Sequence, residues 1–110
     1  MVYVPGLAAL DGDVLSRLRG ADVLLLDGTF WSDDEMRSVG AGGASARAMG
    51  HLPVGSEDGS LAAVTSLPVA RKIYVHINNT NPMLRDDSPE RQAVERAGAE
   101  VGWDGLELTL

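Results

Sequence analysis

The sequence predicts an α/β fold, and three observations carry that reading. Two short runs, Asp22-Val-Leu-Leu-Leu-Asp27 and Lys72-Ile-Tyr-Val-His-Ile77, are continuously apolar rather than alternating. That is the signature of strands covered on both faces, as in a parallel or mixed sheet flanked by helices. Helix start and stop signals fall between and after these runs. The resulting order is strand, helix, strand, loop with helix, strand, helix, strand, which is an α/β alternation.

Each element has a local reason. Met1-Val-Tyr-Val4 reads as a short strand stopped by Pro5-Gly6. Asp11 to Leu18 reads as a helix: Asp11 or Asp13 can cap it, Val14, Leu15 and Leu18 share a face, and Gly20 ends it. Residues 28 to 59 are poor in regular signals. Within them Ser32-Asp-Asp-Glu-Met36 opens a short helical turn, Gly40-Ala-Gly-Gly43 is a flexible joint, and Gly50-His-Leu-Pro53 is a turn or strand entry. Ser60 to Leu67 reads as a helix with Leu61, Val64 and Leu67 inward. The strand Lys72–Ile77 gives way to Asn78-Asn-Thr-Asn-Pro82, whose Asn and Pro disfavour ladder continuation. Ser88-Pro-Glu90 starts a helix, with Ser88 as cap and Pro89 in the first turn. Ala93, Val94 and Ala97 form its buried stripe and Gly98 stops it. Glu100 to Trp103 and Leu106 to Leu110 read as two short strands turned by Asp104-Gly105.

Composition narrows the function. A chain of 110 residues suits one domain and can bury roughly two-thirds of its unfolded surface. With only five aromatic rings (Tyr3, Phe30, Trp31, Tyr74 and Trp103), the core must be mostly Leu, Val and Ala. The net charge of −7 is spread along the chain, with no basic stripe to neutralise phosphates. This argues against nucleic-acid and anionic-membrane partners. There is no cysteine, so neither a disulfide framework nor a thiolate metal site can form. A reducing cytoplasm is compatible with that and is the expected location. No apolar run approaches the ~20 residues of a membrane span, and no signal peptide is expected. A homodimer is left open.

In open sheets of this class, ligands bind where strands end and loops begin. Two motifs sit at such places, Asp27-Gly-Thr-Phe-Trp31 and His76-Ile-Asn-Asn-Thr-Asn-Pro82. His76 comes near the end of an apolar strand, followed by amides and hydroxyls. Histidine is the commonest metal ligand, and a rigid strand end with polar neighbours suits one. Burial for packing is the other reading. His51, between Gly50 and Leu52-Pro53, is a ligand, a substrate contact or a structural turn residue, the last being favoured. Asp27 can bind a metal, orient a histidine, or accept bonds from the amides of the following loop, the last again favoured. Asp33-Asp-Glu35 reads as a solvated helix start that complements the helix dipole. Asn78, Asn79 and Asn81 can fix a loop by Asx turns or donate hydrogen bonds to an anionic or quinoid substrate. Trp31 and Trp103 read as packing residues, although one could cap a pocket. If His76, His51 and Asp27 converged, a 2-His-1-carboxylate site would result. Spacing alone does not show convergence.

The order of motifs resembles a known family. Ala21 to Trp31, Asp33-Asp-Glu-Met36, Met49-Gly-His-Leu-Pro53, His76 to Pro82, Asp87-Ser-Pro-Glu-Arg91 and Asp104-Gly105, together with Tyr3-Val-Pro-Gly6, look like the C-terminal part of coenzyme PQQ synthesis protein B. The resemblance implies that residues 1–110 are the C-terminal portion of one metallo-β-lactamase-like αββα sandwich with a mixed sheet, lacking its N-terminal metal-binding half. It implies that His76 is a metal ligand, the last histidine of the fold. His51 would help catalysis by touching substrate or relaying a proton, and Asp27, Asn78 and Asn79 would shape the surroundings of the cofactor. Pro5-Gly6 stand where related zinc hydrolases place a bridging Asp, which favours a single metal, iron over zinc. The implied role is pyrroloquinoline quinone (PQQ) biosynthesis, with an iron- and oxygen-dependent hydroxylase acting on the tyrosine-derived part of a Glu-Tyr precursor. A carrier of PQQ or its precursor, or an inactive fragment, are the alternatives. The chain alone is expected to lack activity.

Overall fold

Four parallel strands cross one sheet in chain order. β1 (Val2–Val4), β2 (Val23–Asp27), β3 (Arg71–Val75) and β4 (Glu100–Val101) lie in the order β1-β2-β3-β4. The structure, a computed structural model, describes all 110 residues, Met1–Leu110. In β2, Leu25 is partly buried and the other four residues are buried, as its unbroken apolar run requires. The mixed sheet expected for a whole sandwich is not seen within this chain, where all three pairings are parallel.

Four α-helices connect and flank the strands: α1 (Gly12–Leu18), α2 (Glu35–Ser38), α3 (Ser60–Val64) and α4 (Pro89–Arg96). The Asp11 side chain accepts the Val14 amide and the Ser88 hydroxyl accepts the Arg91 amide, so both expected caps are in place. Gly20 and Gly98, each past a helix end, adopt positive φ. Leu18 of α1, Val64 of α3 and Val94 of α4 pack with Leu24, Leu26, Tyr74 and Val101 in one core cluster. These strand residues all lie on one face, because side chains alternate along each strand. Burying a side chain such as Val94 or Leu26 stabilises the fold by about 1.5–3 kcal/mol.

The opposite face carries Tyr3, Leu25 and Ile73 in register across β1, β2 and β3. No helix covers it. The C-terminal stretch lies there instead: Trp103, Leu106 and Leu108 join Leu25, Val75 and His76 around a cavity of about 630 Å³.

The structure corrects several expectations. Leu106–Leu110 forms no strand and the Asp104-Gly105 hairpin is absent; the Leu106 amide returns to the Trp103 carbonyl and goes no further. Strand β4 is parallel to β3, so an antiparallel return beside it would need ladder partners that the tail does not find. β3 stops at Val75, two residues short, because His76 has φ 53, a left-handed conformation that cannot continue a strand. α3 ends at Val64, before Leu67-Pro68. Trp103 is 63% exposed and does not pack in the core; it lines the cavity instead, the second of its two expected uses. No helix is long and apolar enough to cross a membrane.

Candidate metal centre

The site is made where β2 and β3 end. Three segments meet there: residues 27–31 after β2, residues 51–55, and residues 76–81 after β3. Backbone bonds knit them together. Gly28 N donates to the Val75 carbonyl at 2.7 Å, and Asn78 N to the Thr29 carbonyl at 3.1 Å. Val54 N and Gly55 N donate to the carbonyls of Phe30 and Trp31, each at 2.9 Å. The Gly59 turn then holds the 51–55 segment from behind: Ser60 N and Leu61 N donate to the carbonyls of Pro53 and Val54. A fourth segment, the loop after β1, is attached by Leu52 N donating to the Leu7 carbonyl at 2.6 Å.

Asp27 is the hub of this arrangement. It is almost fully buried, and both carboxylate oxygens are engaged twice. Oδ2 accepts the Leu7 amide at 2.8 Å and lies 2.7 Å from His51 Nδ1. Oδ1 accepts the Thr29 amide at 3.0 Å and the Thr29 hydroxyl at 2.6 Å. A carboxylate offers about four lone-pair positions, and here four partners occupy them. One oxygen thus sets the His51 ring and the other sets Thr29. The edge of Phe30 completes the His51 pocket, with ring centroids 5.8 Å apart and planes at 80°.

His76 closes the cluster. Its ring is nearly parallel to that of His51, centroids 5.7 Å apart and planes at 25°. His76 Nδ1 lies 2.8 Å from Thr29 Oγ1. One ligand atom from each of Asp27, His51 and His76 lies within 4.8 Å of the others. The convergence that spacing alone did not show is therefore present. Of the three, the two histidines offer free donor atoms. Each Nδ1 faces an oxygen partner, so Nε2 is the nitrogen left on each ring. A metal-ligating histidine typically has this arrangement, one nitrogen to the metal and the other to an oxygen behind it. His76 is also exposed on the wall of the cavity, not packed in apolar surroundings.

The other sequence candidates sit differently. Asn78 donates through Nδ2 to the Thr80 hydroxyl at 2.6 Å, and Asn79 is exposed. Neither makes a hydrogen bond to Asp27, His51 or His76. Asn81 is buried: Nδ2 donates to the Gly28 carbonyl and Oδ1 accepts the Met83 amide. This is the loop-fixing use of the amide run. Glu35, expected in a solvated acidic run, is buried instead. Its carboxylate accepts the Trp31 amide at 2.8 Å and the Thr80 hydroxyl at 2.6 Å, tying the segment after β2 to the one after β3. Thr29, not among the residues expected at the site, bridges Asp27 and His76. Its signal was present in retrospect, since a hydroxyl two residues after an Asp is placed to bond it.

A parallel sheet with helices on one face and a His/Asp cluster at its strand ends defines the class. The chain belongs to the beta-lactamase superfamily, whose domain model matches residues 1–77. Within that class it is similar along its whole length to coenzyme PQQ synthesis protein B. It is 51% identical over 110 residues to that protein of Klebsiella pneumoniae subsp. pneumoniae, covering all of this chain and 36% of the relative. It is 50% identical over 108 residues to that of Cupriavidus necator, covering 98% and 35%. The 1.98-Å crystal structure of Zn²⁺-bound PqqB from Methylobacterium extorquens matches with a TM-score of 0.95 at 45% identity, covering 98% of this chain and 39% of that one. The chain thus spans about a third of the length of the relatives it matches.

Proposed function

We propose that this chain serves pyrroloquinoline quinone biosynthesis, as the C-terminal portion of a metal-dependent domain that hydroxylates the tyrosine-derived part of a Glu-Tyr precursor. The observation that carries the proposal is the His76 imidazole, tied at Nδ1 and free at Nε2, on the wall of a cavity of about 630 Å³, with the His51 ring stacked 5.7 Å from it. The similarity to coenzyme PQQ synthesis protein B supports the pathway.

The donor set fits a first-row metal, because imidazole nitrogen suits both iron and zinc. The chemistry supplied by a bound iron would be activation of dioxygen; a zinc ion, as in the Methylobacterium extorquens structure, would supply Lewis acidity alone. His76 would hold such a metal through Nε2, since Nδ1 is engaged by Thr29. One histidine is fewer than the three protein ligands usual at a catalytic metal, so this chain would supply only part of the coordination. His51, anchored by Asp27, accepts or returns a proton at Nε2 or contacts the substrate there. Asp27 keeps both His51 and Thr29 in place. Asn79, at the exposed start of the loop, is available to a carboxylate of the precursor, and Asn78 holds the loop that carries it. A carrier that binds precursor without changing it would need the cavity but not the metal.

Equilibrium dialysis of Fe²⁺ and Zn²⁺ under anaerobic conditions tests the reading. Weak binding that His76→Ala abolishes is expected. Metal binding indifferent to His76→Ala would overturn the assignment. Tight stoichiometric binding by these 110 residues would overturn the view that the site is partial.

A further inference from the structure

We infer that Thr29 is the positioning residue of His76, and that it holds the ring in the tautomer that leaves Nε2 unprotonated. The argument is a proton count around one oxygen. Thr29 Oγ1 has three polar neighbours within hydrogen-bond distance: Asp27 Oδ1 at 2.6 Å, His76 Nδ1 at 2.8 Å and the His76 carbonyl at 3.0 Å. A hydroxyl has one proton to give and two lone pairs to offer. The carboxylate and carbonyl oxygens only accept. If Nδ1 also accepted, three acceptors would surround one proton at an oxygen that is nearly buried, and an unpaired buried group is costly.

The conflict is eased if Nδ1 carries the proton, because only the carboxylate and the more distant His76 carbonyl then share the hydroxyl proton. Nδ1–H then donates to Thr29 Oγ1, and the hydroxyl proton goes to Asp27 Oδ1, the shortest of the three contacts and one strengthened by charge. The ring nitrogen left with a lone pair is Nε2. Asp27 therefore orients both histidines by the same logic, His51 directly and His76 through one hydroxyl. The left-handed backbone at His76, φ 53, is what brings its ring back against Thr29. The inference deepens the metal reading above, because it explains why the nitrogen facing outward is a donor atom.

Long-range ¹H–¹⁵N correlation spectra of the ¹⁵N-labelled 110-residue chain, metal-free at a pH where the rings are neutral, test it. In the wild type, His76 is expected to show a protonated Nδ1 and a pyridine-type Nε2. Thr29→Ser should keep that pattern, and Thr29→Val should shift His76 toward the Nε2–H form while His51, held by the other Asp27 oxygen, keeps its own signals. An Nε2–H tautomer in the wild type, or an unchanged His76 pattern in a folded Thr29→Val variant, overturns the inference. The wild-type spectrum decides even where the Val variant does not fold. Adding Zn²⁺ separates the two readings: if His76 is Nδ1–H but Nε2 does not respond to the ion, the metal reading fails and the positioning role stands.

Discussion

His51 Nδ1 lies 2.7 Å from Asp27 Oδ2, and the oxygen that meets it also takes the amide of Leu7, twenty residues earlier in the chain. A single carboxylate thus joins the loop after β1, the end of β2 and the histidine segment. Asp27→Ala leaves the Leu7 and Thr29 amides without partners in a buried setting, at about 1–3 kcal/mol for each donor. A total loss of at least about 2 kcal/mol is expected in urea unfolding, together with loss of metal binding. A loss below about 1 kcal/mol would mean that the loops are held by other contacts.

His76 stores strain. A non-glycine residue in the left-handed region costs about 1–2 kcal/mol, and glycine carries no such penalty. His76→Gly should therefore be more stable than His76→Ala by about 1 kcal/mol, although both lack the ligand. Thermal unfolding of the two variants side by side decides it, and equal stabilities would show that the backbone relaxes on losing the ring.

The Gly59 turn behind His51 has no space for a side chain. A Cβ there would lie 2.5 Å from the Pro53 carbonyl, 2.8 Å from that of Val54 and 2.9 Å from that of Ser56. These are backbone atoms, so relief requires moving the 53–56 segment. Gly59→Ala should cost about 1–3 kcal/mol and displace the His51 signals in the NMR spectrum. A variant with native stability and unmoved His51 signals would contradict this.

Arg71 and Glu100 face each other on the helix-free side of the sheet, paired through two hydrogen bonds at 2.9 and 2.6 Å. The hydrogen bond from Arg71 holds the Glu100 carboxyl below its ordinary value of 4.5; partial desolvation opposes it and the opposite charge adds to it. A depressed carboxyl stabilises the folded chain above its ordinary value, and that contribution fades as pH falls through the lower folded value. The Arg71 side of the pair stays charged throughout. Wild type should thus exceed Glu100→Gln in stability near neutral pH, with the gap closing as pH drops below about 4.5. Both side chains are more than a third exposed, so water and salt screen the pair and the gap is small. A gap that widens in acid would reverse the sign argued here.

How much of this was legible beforehand depended on range. Asp11 and Ser88 announced their helices because a cap acts on an amide three residues away. Val23 to Leu26 announced a doubly covered strand because the whole run is apolar. The residues that make the site were visible one at a time, but not their meeting: Asp27 and His51 are 24 positions apart, and Thr29 and His76 are 47 apart. Glu35 was hidden for the opposite reason. Its acidic neighbours suggested solvent, while its two partners, the Trp31 amide and the Thr80 hydroxyl, exist only once the loops have come together. Leu106 and Leu108 have strand-like spacing, yet β4 has no antiparallel neighbour to offer them.

The strictly sequential order of the strands has a consequence for where a ligand can sit. Open α/β sheets usually gain their crevice where the strand order reverses and successive helices part to opposite sides. Here the order never reverses, and crossovers of the usual right hand advancing in one direction place α1, α3 and α4 on the same side. A pocket does lie between α3 and α4, lined by Leu61, Thr65, Ala93 and Ala97, but neither histidine is on its wall. His76 instead faces the cavity on the other side of the sheet, where Trp103, Leu106 and Leu108 share its wall, so these three side chains stand at the opening to that ring.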